Sequence, residues 1–97
     1  MQIVLRQAAR REMSEAFDWY ESKQEGLGTA FVQEVNATLD HIAQHPAAYA
    51  TIELDIRRAN VRRFPYSVYF RVQRETIIDV LAVFHARRDP AEWLRRA

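Results

Sequence analysis

The stretch of sequence that decides the fold reads VLAVFHARRDPAEW and spans residues 80–93. Its apolar part continues a run that begins at Thr76 and is apolar on both alternating sides, apart from Asp79. A strand with one face in water would alternate apolar and polar residues. This run therefore predicts a central strand with both faces covered at least in part.

The run ends abruptly in a polar segment. His85 is followed by Arg87 and Arg88 and then by Asp89 and Pro90. Aspartate is a favoured helix N-cap and proline suits the first helical position, so a short terminal helix is predicted here. The basic residues are then expected between the end of a strand and the start of a helix.

Two further strands are predicted upstream of this run. Residues 57–64 are rich in arginine and stop at Pro65, and residues 66–72 alternate apolar and polar side chains. Alternation with a period of two is typical of a half-buried strand. Residues 47–55 are ambiguous and are predicted to be mostly loop.

The N-terminal half predicts one strand and two helices. Residues 2–5 are short and β-branched, which favours an edge strand. Apolar residues follow the helical period over residues 9–20 and again over residues 31–43. Glycines within residues 26–28 favour a tight turn between the two helices. The second helix must stop near His45, because the residue before a proline disfavours helix.

The elements follow the order β-α-α-β-β-β, which predicts an α+β fold with a helical hairpin packed on a small antiparallel sheet. A chain of 97 residues has the length of one domain, so residues 1–97 are expected to form a single unit. The face of the sheet away from the helices carries arginines and aromatic residues and is expected to be partly open.

Charge is unevenly distributed along the chain, although the formal net charge is only +1. Residues 1–50 hold four basic and seven acidic groups, whereas residues 51–97 hold ten basic and six acidic groups. A basic half indicates a binding face for an acidic partner, or arginines that line the solvent face of a small sheet. The chain has no cysteine and no apolar segment long enough to span a bilayer, so a cytoplasmic protein without membrane association is expected.

No metal or other cofactor is predicted. His41 and His45 have a spacing that could hold a metal on a helix, but no third ligand accompanies them. Histidines near a helix C-terminus are also favoured by the helix dipole. With only two glycines, the chain has no glycine-rich phosphate loop.

One group of polar and basic residues remains, and a three-stranded meander is expected to bring it to one rim of the sheet. Two chemistries would use such a rim. RNA cleavage by the 2′-hydroxyl needs a base, an acid and cations on the phosphate. Alternatively, an acidic protein segment could dock through arginine–carboxylate pairs. The residues in this group are Arg58, Asn60, Arg62, Arg71, His85, Arg87 and Arg88.

The C-terminal half resembles a known family. The segment FPYSVYFRV at residues 64–72, a polar turn, an apolar strand and then HARRDPAEW resemble the RelE/ParE superfamily of toxins from type II toxin–antitoxin systems. The resemblance implies a β-α-α-β-β-β toxin that a cognate antitoxin neutralises in a hetero-oligomeric complex. RelE-like members cleave mRNA on the ribosome, whereas ParE-like members inhibit DNA gyrase.

The resemblance also implies which residues would carry each activity. Ser67 stands where RelE-like members have an arginine on the scissile phosphate, and Trp93 stands where some members have a tyrosine. Arg62, His85 and Arg87 would remain as the catalytic residues of a ribonuclease. Because this set is incomplete, the sequence favours a ParE-like gyrase inhibitor that is not an enzyme. A RelE-like endoribonuclease, with ribosome and mRNA as partners, is the alternative.

Several residues are predicted to contact the target or the antitoxin. Competing interpretations are that Arg87 or Arg88 pairs with an acidic neighbour such as Glu92, and that Trp93 packs the terminal segment onto the sheet. Trp19 is predicted to pack at the edge of the core. The predicted contact residues are Arg58, Arg62, Arg71, Arg87, Arg88 and Trp93.

Overall fold

The computed structural model describes residues 1–95, in which two long helices pack on one face of a five-stranded mixed sheet. This arrangement confirms the predicted α+β fold with a helical hairpin on a sheet. Residues 96 and 97, which the sequence assigned to the terminal helix, lie outside the described residues. The elements are β1 (Gln2–Leu5), α1 (Gln7–Lys23), α2 (Leu27–Gln44), a 3-10 turn (Pro46–Ala48), β2 (Thr51–Glu53), β3 (Ile56–Asn60), β4 (Tyr66–Gln73), β5 (Ile77–His85) and α3 (Ala91–Leu94).

The strands lie in the order β1-β5-β4-β3-β2. β5 has a neighbour on each side and is buried over residues 78–84, which confirms the prediction of a doubly covered strand. β1 is an edge strand, as predicted, but it pairs with β5 in parallel, so the sheet is mixed rather than antiparallel throughout. Two helices and three strands separate β1 from β5 in the chain, and so long a connection allows either direction.

The segment predicted to be a loop, residues 47–55, contains part of the 3-10 turn and the edge strand β2. β2 pairs with β3 in antiparallel fashion, with Thr51 opposite Arg57. The prediction of mostly loop missed this strand, because three residues are too few to show a period of two. β3 also ends at Asn60, before the predicted end at Phe64.

The turn between the helices requires both of its glycines. Gly26 has a φ of 86°, in the left-handed region that favours glycine. Gly28 lies against the first helix, where an added Cβ would be 2.7 Å from the backbone oxygen of Phe17. The predicted tight turn is confirmed, and α2 ends at Gln44, just before His45 as predicted.

The sheet separates two cores of unequal size. The smaller, outer core lies on the face away from the long helices, and Trp93 of α3 closes it. That face is therefore covered over part of its area. The helix-side core includes Phe31, Val35, Ile42, Val68, Phe70, Val80 and Val83, and the outer core consists of Ile56, Tyr69, Leu81, Ala82, Phe84 and Trp93.

Glu21, near the end of α1, caps the start of α2. Its carboxylate accepts hydrogen bonds from the backbone N–H groups of Gly26 at 3.0 Å and Gly28 at 2.8 Å. The first N–H groups of a helix have no acceptor within the helix, and these bonds supply one. They also lower the pKa of Glu21, because they stabilise its charged form.

Replacing Glu21 with glutamine is expected to lower the melting temperature by a few degrees at neutral pH. Because the pKa of Glu21 is lowered in the folded state, its stabilisation is complete above the unfolded-state pKa and disappears as the pH falls through the folded-state value. Thermal scans should therefore show the wild-type and Glu21→Gln melting temperatures converging on acidification. Glu25→Gln, at an exposed neighbouring position, is the control and should leave this pH profile unchanged.

Candidate binding cleft

A β-bulge interrupts the pairing of β4 with β5. Tyr69 pairs with Ala82 and Phe70 pairs with Val80, so Leu81 has no partner of its own on β4. A bulge adds one residue to a strand and shifts the alternation of the side chains beyond it. The shift is invisible in the sequence, because residues 80–84 are all apolar.

The bulge determines which way the end of β5 faces. Val80 and Val83 both belong to the helix-side core, although a separation of three would otherwise place them on opposite faces. Two residues further on, the ring of His85 lies 5.2 Å from that of Tyr66. His85 therefore faces the side of the sheet on which α1 packs.

A cleft of about 670 Å³ lies between α1 and the ends of β4 and β5. Trp19 and Tyr20 form its wall on α1, and Tyr66, His85 and Arg87 line it from the sheet side. An aromatic surface bordered by arginine suits an apolar side chain that is accompanied by an acidic group. The other lining residues are Glu12, Glu15, Ala16, Pro65, Val83 and Arg88.

Core contacts hold the shape of this cleft. The carboxylate of Glu12 accepts a hydrogen bond from the backbone N–H of Val83 at 3.0 Å, which joins α1 to β5. The ring of Tyr20 lies 4.9 Å from that of Phe64 and 6.2 Å from that of Tyr66. Burial, with a smaller contribution from Tyr20, raises the pKa of Tyr66. The Tyr66 hydroxyl therefore remains a hydrogen-bond donor at neutral pH.

Arg88 is already engaged within the chain. It donates two hydrogen bonds to the carboxylate of Glu92, at 3.0 and 3.3 Å, and its guanidinium lies 4.0 Å from the ring centroid of Phe84. These bonds raise the pKa of Arg88 and lower that of Glu92. The pairing predicted for one of the two arginines is present, and an exposed pair of this kind adds little stability.

Arg87 differs from its neighbour. Its backbone N–H donates a hydrogen bond to Nδ1 of His85 at 3.0 Å. Its guanidinium makes no ion pair with any other residue in the described part of the chain. Arg87 is therefore the cation of the cleft that is available to a carboxylate or phosphate from outside.

The two positions that depart from the ribonuclease pattern have structural roles. Ser67 is 3% exposed, and its hydroxyl donates a hydrogen bond to Oδ1 of Asn60 at 2.9 Å. Trp93 is fully buried, with its ring centroid 4.2 Å from that of Tyr69. The indole packs inside the protein in this position and presents no surface to a partner.

The other predicted contact residues lie away from the cleft. Arg58 is exposed on the outer face of β3. Arg62 follows β3 and lines a second depression of about 260 Å³ beside α2. Arg71 lies opposite Asp79, which is roughly 20 Å from His85 along β5 at the usual strand rise. The expectation that these residues converge on one rim was wrong for Arg58 and Arg71, because it depended on strand lengths and registers. Arg62 lies at the same end of the sheet as His85, but beside α2 rather than in the cleft.

Trp19 is the cleft residue that sequence reasoning placed incorrectly. It is 56% exposed rather than packed at the edge of the core. The ammonium of Lys23 lies 5.0 Å over its ring, and the ring of Tyr20 meets it edge-on with the centroids 5.0 Å apart. Trp19 is adjacent to the buried Tyr20 in sequence, and helical periodicity does not distinguish the border of a core from the wall of a cleft.

The described residues contain neither a group of metal ligands nor a membrane-spanning helix. No three or more histidine, aspartate or glutamate side chains there form a group that could hold a metal ion. The rings of His41 and His45 lie 4.9 Å apart, and His41 hydrogen-bonds to the hydroxyl of Tyr49. No helix within residues 1–95 combines the length and the apolar character needed to cross a bilayer.

Residues 3–90 match the family model described as the ParE toxin of the type II toxin–antitoxin system parDE. The chain belongs to the ParE toxin family. It is thus a toxin of a type II toxin–antitoxin system, which confirms the ParE-like branch of the resemblance.

A solved structure supports the fold of this ParE-family toxin independently. The structure titled "Chromosomal ParDE TA system from P. aeruginosa" contains a chain that superposes with a TM-score of 0.78. The two chains are 20% identical, and the match covers 90% of this chain and 97% of that one. No curated protein sequence matches the chain.

Proposed function

We propose that this ParE-family toxin binds and inhibits DNA gyrase in the cytoplasm, and that a cognate antitoxin neutralises it in a hetero-oligomeric complex. Gyrase inhibition is the role associated with the ParE branch of the superfamily. One observation favours a binding function over a ribonuclease. Ser67 and Trp93, which stand at the two positions that depart from the ribonuclease pattern, are both buried within the fold.

Small movements of the chain would not restore the missing catalytic groups at these two positions. The hydroxyl of Ser67 is buried and bonded to Asn60, so neither its chemistry nor its position supplies a cation to a phosphate. The indole of Trp93 does not exchange a proton as a base, and it is held inside the outer core. Each missing transition-state contact costs a nuclease about two to three orders of magnitude in rate.

Arg87 is the contact residue best placed for a partner, because it borders an aromatic cleft and has no ion pair within residues 1–95. Arg88 can join it if a partner carboxylate competes with Glu92. Arg58, Arg62 and Arg71 lie on other surfaces, and we propose them as separate contacts with the antitoxin, which can extend over more than one face.

The purified toxin is expected to inhibit supercoiling by gyrase and to leave mRNA intact in a ribosome-dependent cleavage assay. Arg87→Glu should weaken the inhibition by at least about tenfold, because a charge reversal at a contact replaces attraction with repulsion. Arg74→Glu makes the same charge change at an exposed turn and should have no effect.

Two results would count against this proposal. Cleavage of mRNA that is lost in Arg87→Ala would assign the chain to the ribonuclease branch. Unaffected growth of cells that express the toxin without its antitoxin would exclude both activities.

A further inference from the structure

The end of β2 and the turn that joins it to β3 carry exposed apolar side chains that the fold does not explain. Leu54 is 89% exposed and Ile52 is 39% exposed. Leu54 also has a φ of 51°, in the left-handed region where glycine or asparagine is usual. An apolar residue that is both exposed and conformationally unfavourable costs stability and gives nothing back within the described residues.

The same segment is acidic. Glu53 and Asp55 flank Leu54, both are exposed, and neither forms an ion pair with a residue in the described part of the chain. Residues 52–55, which we name the acidic tip, therefore present two aliphatic side chains together with two uncompensated carboxylates.

The cleft is complementary to the acidic tip in both respects. Its aromatic wall includes Trp19, which is 56% exposed, and Tyr66. The two carboxylates of its lining are engaged within the chain, Glu12 by the backbone N–H of Val83 and Glu15 by Arg11. Arg87 is the cation of the cleft that makes no ion pair within residues 1–95, and arginine makes strong bidentate bonds to carboxylate. An aliphatic side chain from the tip can cover the aromatic wall while Asp55 pairs with Arg87.

Within one chain, however, the tip and the cleft lie apart. Tyr66 and His85 face each other at the end of the sheet that borders the cleft. The acidic tip directly precedes β3, whose residue Arg57 pairs with Phe70, toward the opposite end of β4. An intramolecular contact is therefore excluded by the register of the strands.

We propose that the acidic tip is the ligand of the cleft in a second copy of this chain, so that two toxins form a dimer with reciprocal contacts. When two copies lie antiparallel, each tip is brought to the cleft end of its partner, and both contacts form at once. Such two-fold pairing closes the assembly, whereas one-way insertion would leave a free tip and a free cleft at each end of a growing chain.

Sedimentation of the purified full chain over a range of concentrations tests this dimer. The wild type is expected to show a concentration-dependent monomer–dimer equilibrium. Arg87→Glu and Asp55→Arg should each raise the dissociation constant at least about tenfold, because each variant places like charges together at both contacts. Leu54→Ser should do the same by removing the aliphatic anchor.

An equimolar mixture of Arg87→Glu and Asp55→Arg gives the sharpest readout. In the mixed dimer one contact is the wild-type pair and the other is the same pair with its charges exchanged, so association should return although neither variant associates alone. This recovery also shows that both variants are folded.

Matched controls change similar side chains elsewhere. Val4→Ser alters an exposed apolar residue on the other edge strand, and Arg74→Glu alters an exposed arginine of a turn; both should dimerise as the wild type does. A wild-type chain that stays monomeric, or a dimer that is indifferent to Arg87→Glu and Leu54→Ser, would overturn the proposal. So would a cleft variant that weakens antitoxin binding while leaving self-association unchanged.

Discussion

Replacing Trp93 with alanine is expected to lower the free energy of unfolding by about 3–5 kcal/mol, the usual cost of removing a large buried aromatic side chain. The indole is fully buried, packs against the ring of Tyr69 and closes the outer core. α3 has only four residues, and a helix this short depends on such packing rather than on its own propensity. The variant should therefore release α3 and expose the outer face of the sheet.

Urea unfolding of Trp93→Ala beside Trp93→Phe measures this effect. The indole Nε1 has no hydrogen-bond partner among residues 1–95, so phenylalanine loses volume but no hydrogen bond and should cost much less than alanine. Leu94→Ala, at the adjacent and partly exposed position, is the control and should cost less again. An alanine variant as stable as the wild type would show that Trp93 does not support the outer core.

Local patterns were sufficient for most of the fold. The helical period located both long helices, the residue before Pro46 ended the second of them, and the glycines marked the turn. These features depend on residues close in sequence, where sterics and periodicity act directly. The apolar run, interrupted only by Asp79, likewise identified β5, because burial on both faces leaves a composition that no half-exposed strand has.

Features that depend on pairing between distant segments could not be predicted from local sequence patterns. The bulge at Leu81 lies within an all-apolar run, so nothing in the sequence marks the change of face that turns His85 toward α1. The direction of β1 is decided by its partner β5, which lies far along the chain. β2 is too short to show a period of two, so the sequence does not reveal it.

The candidate site could be predicted only in part, for the same reasons. Residue types at the end of β5 correctly indicated a basic border, but only the structure shows that Arg88 is engaged by Glu92 while Arg87 is not. The aromatic wall could not be foreseen, because it forms where Trp19 of α1 meets Tyr66 of β4 across a long sequence separation.

Asp79 is the one acidic residue within the apolar run, and its role explains why a charge is tolerated there. Its carboxylate accepts hydrogen bonds from Nε of Arg6 at 3.2 Å, from Nη2 of Arg6 at 2.9 Å and from Nε2 of Gln73 at 3.3 Å. Arg6 lies between β1 and α1, so the pair fastens the edge strand and the start of the first helix to β5. A buried carboxylate is tolerated only where a cation and hydrogen-bond donors such as these compensate its charge.

Asp79→Ala is accordingly expected to cost about 2–4 kcal/mol, below the full penalty for breaking a buried pair because the Arg6 side chain remains 35% exposed and can be solvated. Asp79→Asn keeps an acceptor for the same donors and should cost less. A double-mutant cycle with Arg6→Ala, followed by urea unfolding, should give a coupling energy of about 1 kcal/mol or more. Additive losses would mean that the carboxylate is held by its surroundings and not by Arg6, and β1 would then owe its attachment to backbone pairing with β5 and to the packing of Ile3 and Leu5 on the helix-side core.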